Sequence, residues 1–504
     1  MEFVRNFPFF SILLSLGSGV LTSIMNKTVA RIWNKFVMLA CMIMSGILFV
    51  YLIGTGESFT FMMGHFPAPW GNEIRAGMLE AGMAFFFCIV MFLSIIGGQK
   101  HIDEEIEETK INIYYIMINL LLSSLLALIY TNDLFNAYVF IEINTIAACG
   151  LIMIRQNGRT IEAATRYMIM SSLGSGLLLM GLSILYDITG HLLMSNIKES
   201  IAVIYPQGTY NVPLISAIGM ICVGLAIKSA LYPFHTWLPD AYGYSTVSSA
   251  AILSSLVSKG YIFILIKIFY RVVGNNVIVD SKIINIFFIF GLIGMIMGSI
   301  NAIQEHDIRR MIAFSSVAQI GYIYMGLGLG TTVGMVASIF HILSHASSKS
   351  LLFMAASGLT DESGGSKKFK DLTGSAYRNP IAGIAFSVGA CSMVGIPMFS
   401  GFISKLLFAQ AAVQNSLGKM LPTLICLAIS TVLNAIYFMK TVILIYTPVH
   451  PNSIKHDSAN INNWLTDKAL YNTALVLMVA LNIILGCFSE PIVKWIETGL
   501  GIFG

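Results

Sequence analysis

Apolar runs recur along this sequence at a length that leaves it little choice of fold. They lie near 7–25, 33–54, 77–98, 111–131, 133–155, 163–187, 212–236, 245–273, 281–303, 309–329, 332–358, 380–412, 417–446 and 469–489, and with their loops they take up almost all 504 residues. A helix needs ~20 predominantly apolar residues to cross a ~30 Å hydrocarbon core, and in lipid every backbone N–H and C=O must be satisfied within the protein. The runs therefore predict an all-α integral membrane protein of about fourteen transmembrane helices. Charge agrees: 11% of residues are charged and 56% hydrophobic. A soluble domain carries roughly 25% charged residues, so this chain cannot clothe a solvated surface.

The net charge is +4 and no basic patch alternates with aromatic residues, which points to the lipid bilayer and away from nucleic acid as a partner. Cys41, Cys88, Cys149, Cys222, Cys391, Cys426 and Cys487 are scattered through apolar runs without a C-x-x-C pair or cluster spacing, so no iron–sulfur or haem site is predicted in this chain. No small-residue cleavage site follows the first run, which reads as a retained helix. Loop lysines and arginines set the orientation. Odd-numbered loops carry sixteen, among them Lys27, Arg31, Lys100, Arg155, Arg166, Arg310, Lys367 and Lys455, whereas even-numbered loops carry only Arg75, Lys198, Arg271, Lys282 and Lys419. Odd loops are expected in the cytoplasm and both termini outside.

Pro233 and Pro397 fall inside long apolar runs, where a proline removes a backbone donor and breaks the helix. Broken helices at matching positions of two halves point to a transport site. The fourth to eighth runs begin near Ile111 and the ninth to thirteenth near Ser281, an offset of 170 that is close to the 164 residues between the two prolines. Two five-helix repeats of opposite orientation fit, over 111–273 and 281–446, after an N-terminal three-helix segment (1–110) and before a C-terminal helix and tail (447–504). Two unrelated proline kinks are the plainer alternative. The acidic run at Asp103, Glu104, Glu105, Glu107 and Glu108 reads as a solvated loop, and the segment 64–73, rich in proline, is expected to lie folded at the outer interface.

An ionisable group at the bilayer centre costs from ~2.5 to more than ~10 kcal/mol and marks an ion pathway by default. Of 25 acidic residues, only Glu142 falls deep inside a run. Lys228, Lys259, Lys349 and Lys405 lie as deep, while Lys267 and Lys440 are near enough to run ends to snorkel. His341, His345 and Lys349 are spaced by four, which places them within an arc of ~80° on one helix face. A zinc site would need a third ligand, and none is near in sequence. A histidine that merely packs, or a static Glu142–Lys228 pair, are the structural alternatives. Four deep lysines against one deep carboxylate speak for coupled titrating groups that pass protons through water.

Five stretches carry a family resemblance. They are DLFNAYVFIE (133–142), GLAIKSALYPFHTWLPDA (224–241), DIRRMIAFSS (307–316), HILSHASSK (341–349) and GIPMFSGFISK (395–405). In this order they resemble the antiporter-like subunits shared by respiratory complex I, Mrp-type Na⁺/H⁺ antiporters and energy-converting membrane-bound hydrogenases. The resemblance implies fourteen helices, inverted repeats that each form a proton half-channel, and discontinuous helices seven and twelve. It places Glu142 as the glutamate of helix five, Lys228 as its lysine partner, Lys259 as the connecting lysine of helix eight, and His341, His345 and Lys349 as the polar stripe that follows. Lys405 takes the helix-twelve position, with His235, Asp240 and Asp307 in support. One departure is GYSTVS (243–248), which lacks the family's proline at the start of helix eight.

The expected function is H⁺ or Na⁺ translocation within a multi-subunit redox complex of a prokaryotic cell membrane. Its partners would be further antiporter-like subunits and a peripheral redox arm. Cofactors are expected only in those partners, as Fe–S and Ni–Fe or flavin centres. A D-type member of an Mrp antiporter without redox chemistry is the second reading; Lys405 and the short C-terminal region resemble the D subunit of Mrp antiporters and its hydrogenase counterparts alike, so neighbouring genes would have to choose. A scaffold that anchors a peripheral arm without conducting is the third.

Overall fold

Cap residues and breaks divide the apolar runs into helices. The computed structural model describes residues 2–63, 66, 71–448 and 461–503, so Lys455 lies outside the described residues. First come α1 (Phe7–Thr22) and α2 (Lys27–Thr55); the Asn26 side chain accepts from Val29 N to open α2, and Gly56, at φ 67°, closes it. A hairpin of β1 (Phe59–Met62) and β2 (Glu73–Ala76) is the one departure from helix among the described residues. Most of the 64–73 segment between these strands lies outside the described residues. Then follow α3 (Met78–Gly97), α4 (Gln99–Glu105), α5 (Ile111–Tyr130), α6 (Leu134–Met153), α7 (Gly158–Thr189), α8 (Met194–Ile204) and α9 (Asn211–Lys228).

The helix stops at Lys228, residues 229–237 form turns, and α10 (Leu238–Tyr244) resumes. One continuous helical rod is made of α11 (Val247–Ile252) and α12 (Ser258–Ile268), with π turns at 253–257 and 269–273. After α13 (Asn275–Asp280) come α14 (Ile283–Gln304), α15 (Ile308–Gly328), α16 (Thr332–Asp361) and α17 (Ser375–Arg378). The chain breaks again at 395–399, between α18 (Pro380–Val394) and α19 (Ser400–Val413), and ends with α20 (Leu417–Ile445), α21 (Ile461–Cys487) and α22 (Ser489–Gly501).

Among the described residues twelve helices are long and apolar enough to cross a membrane. The expected fourteen include two more segments. One is α16, whose 30 residues carry two histidines, a lysine and a row of serines in place of apolar side chains. The other is the interrupted pair α18 and α19, each half too short alone.

Two elements form the interior. Every residue of α16 from Gly334 to Thr360 is buried, and so is the apolar window of the 247–273 rod. They pack on each other, with α3, α15, α18, α19 and α21 around α16. Shielding from lipid on all sides is the condition under which ionisable side chains are tolerated at membrane depth.

Two expectations about charge are corrected. Lys267 does not snorkel: it is fully buried and donates to the carbonyls of Ile129 (2.8 Å), Leu128 (3.3 Å) and Thr131, thereby capping the C-terminus of α5. Arg271, read as a loop residue, is buried against Glu80, and donates to the Phe503 carbonyl at 2.7 Å. The acidic run is solvated as expected, with Glu104, Glu107 and Glu108 exposed, but it is largely helical and paired: Asp103 with Arg31, Glu108 with Lys27, Glu107 with Lys110 at 2.7 Å and Glu105 with Arg155 at 3.7 Å. Lys440 is exposed, as its place near a helix end suggests.

Candidate functional site

Asp133 opens α6 by accepting from Asn136 N at 2.7 Å, and Glu142 follows two turns later. Its carboxylate accepts from the Ser175 hydroxyl on α7 and stands 3.3 Å from Lys228 Nζ at the last residue of α9. Lys228 also donates to Thr145 Oγ1 at 2.9 Å. A helix C-terminus carries partial negative charge, which favours a cation there. Two of these helices, α7 and α9, approach closely because two glycines face each other: a Cβ on Gly224 would come within 2.6 Å of the Gly174 carbonyl. Coverage is uneven, with 0% of the Lys228 side chain exposed against 33% for Glu142. Glu142 is mid-helix, as its depth in the run implies, and partly exposed on the flank of the bundle.

Lys228 lies 5.7 Å from the ring centre of Tyr261, whose hydroxyl donates to Asn144 Oδ1 at 2.9 Å. Tyr261 is on α12, two residues beyond Lys259. The Lys259 amine is fully buried and turns back to the Ser254 carbonyl and to Ser258 Oγ at 3.2 Å. Ser254 belongs to the π turn at 253–257, a distortion that recurs at functional sites. The missing proline at 243–248 is compensated: the Thr246 side chain accepts from Ser249 N at 3.3 Å, and the buried Arg309 guanidinium donates to the Ser245 carbonyl at 2.6 Å.

The α16 stripe forms as its spacing predicts. His341 and His345 stack with ring centroids 5.9 Å apart and 14° between planes, and Lys349 one turn on donates to the Ile312 carbonyl at 2.7 Å and to Ser315 Oγ. The 253–257 turn, which leads into Lys259, packs against this helix. His341 Nδ1 is 2.5 Å from Ser404 Oγ, and both ring nitrogens of His345 are buried without a protein partner. Lys405, next to Ser404, folds back to the Val394 carbonyl at 2.6 Å and Thr431 Oγ1 at 3.0 Å. Val394 ends α18, so this lysine also sits at the carbonyl end of a broken helix. Gly395 makes room for it, with φ 89° and a virtual Cβ only 2.9 Å from the Lys405 stem.

The structure thus sets the expected line out as separate contacts: Glu142 with Lys228, Lys259 with Ser254 and Ser258, His341 with His345 and Ser404, Lys349 with Ser315, and Lys405 with Thr431. It keeps the three supporting residues apart from that line. Asp307 is the N-cap of α15, accepting from Arg309 N and Arg310 N at 2.8 and 3.2 Å. Asp240 holds Arg310 and, at 3.0 Å, Arg166. His235 stacks on Tyr232 at 5.0 Å and lines an open polar cavity of about 570 Å³ with Arg166, Asp240, Glu305 and Arg310. Sequence reasoning missed Thr145, Ser175 and Tyr261, neutral residues that carry no burial penalty to betray them.

Sequence relatives and solved structures agree with this architecture. A family model described as "NADH:quinone oxidoreductase/Mrp antiporter, TM" matches residues 131–433. The N-type subunit of NADH-quinone oxidoreductase from Desulforudis audaxviator is 32% identical over 387 residues, covering 77% of this chain and 75% of the relative. The D-type polypeptide of a Na⁺/H⁺ antiporter from Alkalihalophilus pseudofirmus is 26% identical over 480 residues, covering 95% and 93%. A chain of an archaeal membrane-bound sulfane sulfur reductase superposes with a TM-score of 0.85 at 23% identity over 100% of this chain and 98% of its own. This chain belongs to the transmembrane NADH:quinone oxidoreductase/Mrp antiporter family.

Proposed function

We propose that this chain is an ion-translocating, antiporter-like membrane subunit of a multi-subunit complex in a prokaryotic cell membrane. Protons, or Na⁺ coupled to them, move along Glu142, Lys228, Lys259, His345, Lys349, His341 and Lys405. The observation that carries this reading is the Glu142–Lys228 contact at 3.3 Å beside a helix break, with five more ionisable side chains inside the following helices. Every member is ionisable, each apart from His345 touches a hydroxyl or carbonyl, and the two ends lie beside helix breaks. In such a string the charge state of one group sets that of the next.

On this reading the segments 111–273 and 281–446 are two inverted half-channels. The N-terminal three-helix segment (1–110) and the C-terminal helix and tail (447–504) flank them, and the odd loops, rich in lysine and arginine, face the cytoplasm with both termini outside. The driving reaction belongs to partner subunits, whose Fe–S and Ni–Fe or flavin centres this chain would serve without ligating them. The likeness to the N-type member of a quinone oxidoreductase supports coupling to redox chemistry. A second reading has support of its own: the D-type antiporter polypeptide is matched along nearly its whole length, as fits a Na⁺/H⁺ exchanger without electron transfer.

The test is ion movement in vesicles carrying the assembled complex. Lys228→Ala or Glu142→Ala abolishes most of it, and Lys440→Ala, at an exposed position, leaves it unchanged. Full pumping by assembled Lys228→Ala sinks the reading. The chains that copurify with this one, redox proteins or small antiporter components, choose between the two versions.

A further inference from the structure

A further set of buried polar side chains, outside the histidine stripe, touches Lys349 at one end and Lys405 at the other. Lys349 donates to Ser315 Oγ. The Tyr437 hydroxyl on α20 faces Ser315 and Ser299 and donates to Asn434 Oδ1 at 2.5 Å. Ser299 donates to the same amide oxygen at 3.3 Å. One turn before Asn434, Ser430 and Thr431 face the Tyr322 hydroxyl, and Thr431 accepts from Lys405 at 3.0 Å. Ser299, Ser315, Ser430, Asn434 and Tyr437 are all buried.

The spacing of these groups is helical. Thr423, Ser430, Asn434, Tyr437 and Thr441 follow at intervals of seven, four, three and four, which makes them one buried face of α20. A polar face turned inward at membrane depth has to be satisfied by protein or water. Asn434 Nδ2 on this face and the hydroxyl of Tyr322 on α15 have no protein partner, and ordered water is what ordinarily satisfies such groups.

We propose that Tyr437 is a proton-carrying residue, and Asn434 its positioning residue, in a route from Lys349 to Lys405 that runs beside His345 and His341. The proposal rests on the translocation reading above and deepens it. The Lys349 ammonium gives a proton to Ser315 Oγ, and the hydroxyl proton of Ser315 passes to the Tyr437 oxygen. Tyr437 releases its own proton to water held by Asn434 and Ser299. From there it moves past Ser430, Tyr322 and Thr431 to the neutral Lys405 amine. Each hydroxyl receives one proton and releases one, so the net change is a neutral Lys349 and a charged Lys405. The Asn434 amide carries no proton; it fixes the Tyr437 hydroxyl and the water beside it.

The experiment uses the intact complex in vesicles, with Tyr437→Phe, His345→Asn and the double variant. Parallel routes predict that each single change slows proton movement by about two- to fivefold and that the double loses far more than the product of the two. The solvent isotope effect in D₂O should change with Tyr437→Phe, which a purely structural role would not cause. A double variant no slower than the worse single overturns the proposal, as does Tyr437→Phe at the unaltered rate in both backgrounds. If Tyr437→Phe fails to assemble, Ser315→Ala interrupts the same link, and an unchanged rate there is equally fatal. Lys228→Ala separates the two ideas: full pumping in that variant removes the translocation reading, whereas its loss together with an inert Tyr437→Phe removes the relay alone.

Discussion

Glu142 and Lys228 are partners 3.3 Å apart with unequal cover, the lysine sealed inside the bundle and the carboxylate one-third exposed on its flank. Their removal should therefore be unequal too. Glu142→Ala leaves an ammonium without a carboxylate, held by Thr145 and facing the Tyr261 ring. Breaking a buried pair in this way costs about 3–5 kcal/mol, an upper figure because a stranded lysine can shed its proton. Lys228→Ala leaves a carboxylate that keeps its Ser175 contact and a route to the surface. Both changes stop transport, and thermal unfolding of the purified complex should fall further for Glu142→Ala. The opposite order would mean that lateral exposure of Glu142 is immaterial.

Lys267 and Lys259 are on the same helix, two turns apart, with different work. Lys267 caps three carbonyls at the end of α5, whereas Lys259 follows the turn that packs against α16. Leaving a buried acceptor unsatisfied costs roughly 1–3 kcal/mol. Lys267→Met should lower stability while transport per assembled complex is kept. Lys259→Met should do the reverse. Measuring both quantities in both variants checks the division, and loss of transport in well-assembled Lys267→Met would refute it.

Close approach of α7 and α9 depends on Gly174 and Gly224, since a Cβ at either meets the other's backbone at 2.9 or 2.6 Å. Gly224→Ala must part the helices by some tenths of an ångström and loosen Lys228 from Glu142. Transport should drop well before assembly does. Gly176 on the same helix as Gly174 has open space around it, so Gly176→Ala is the control and gains up to about 1 kcal/mol in helix propensity. Equal loss from the two substitutions would assign the effect to the helix alone.

Much of the site was legible in the sequence because stranding a charge in lipid is costly, and a costly residue stands out against apolar neighbours. Glu142, Lys228, Lys259, Lys349 and Lys405 announced themselves this way, and Pro233 and Pro397 marked both helix breaks. Lys267 was misread because what satisfies it is a set of carbonyls at the end of a helix far away in sequence. Neutral groups such as Tyr261, Ser175 and Tyr437 raise no such signal, and the π turn ahead of Lys259 leaves no mark in residue type. Exposure of Glu142 depends on how helices pack around it, which periodicity along α6 alone does not specify.

The 362–374 loop gives the clearest dependence on pH. Lys367 is half-buried there, donates to the Gly243 carbonyl at 3.3 Å and lies near Arg309; desolvation first, and that guanidinium second, bring its pKa down to about 7. An unfolded lysine titrates near 10.4. Between about 7 and about 10 the unfolded chain therefore holds more of this proton than the folded one, and stability rises with pH across that window. Below about 7 both states are protonated, and the cost of keeping a half-buried cation is present in full. Lys367→Met removes the cost, so its melting temperature should exceed that of the unaltered protein at about pH 6 and the difference should shrink as pH approaches 10. A difference that stays constant across the window would show that Lys367 keeps its proton in the folded loop.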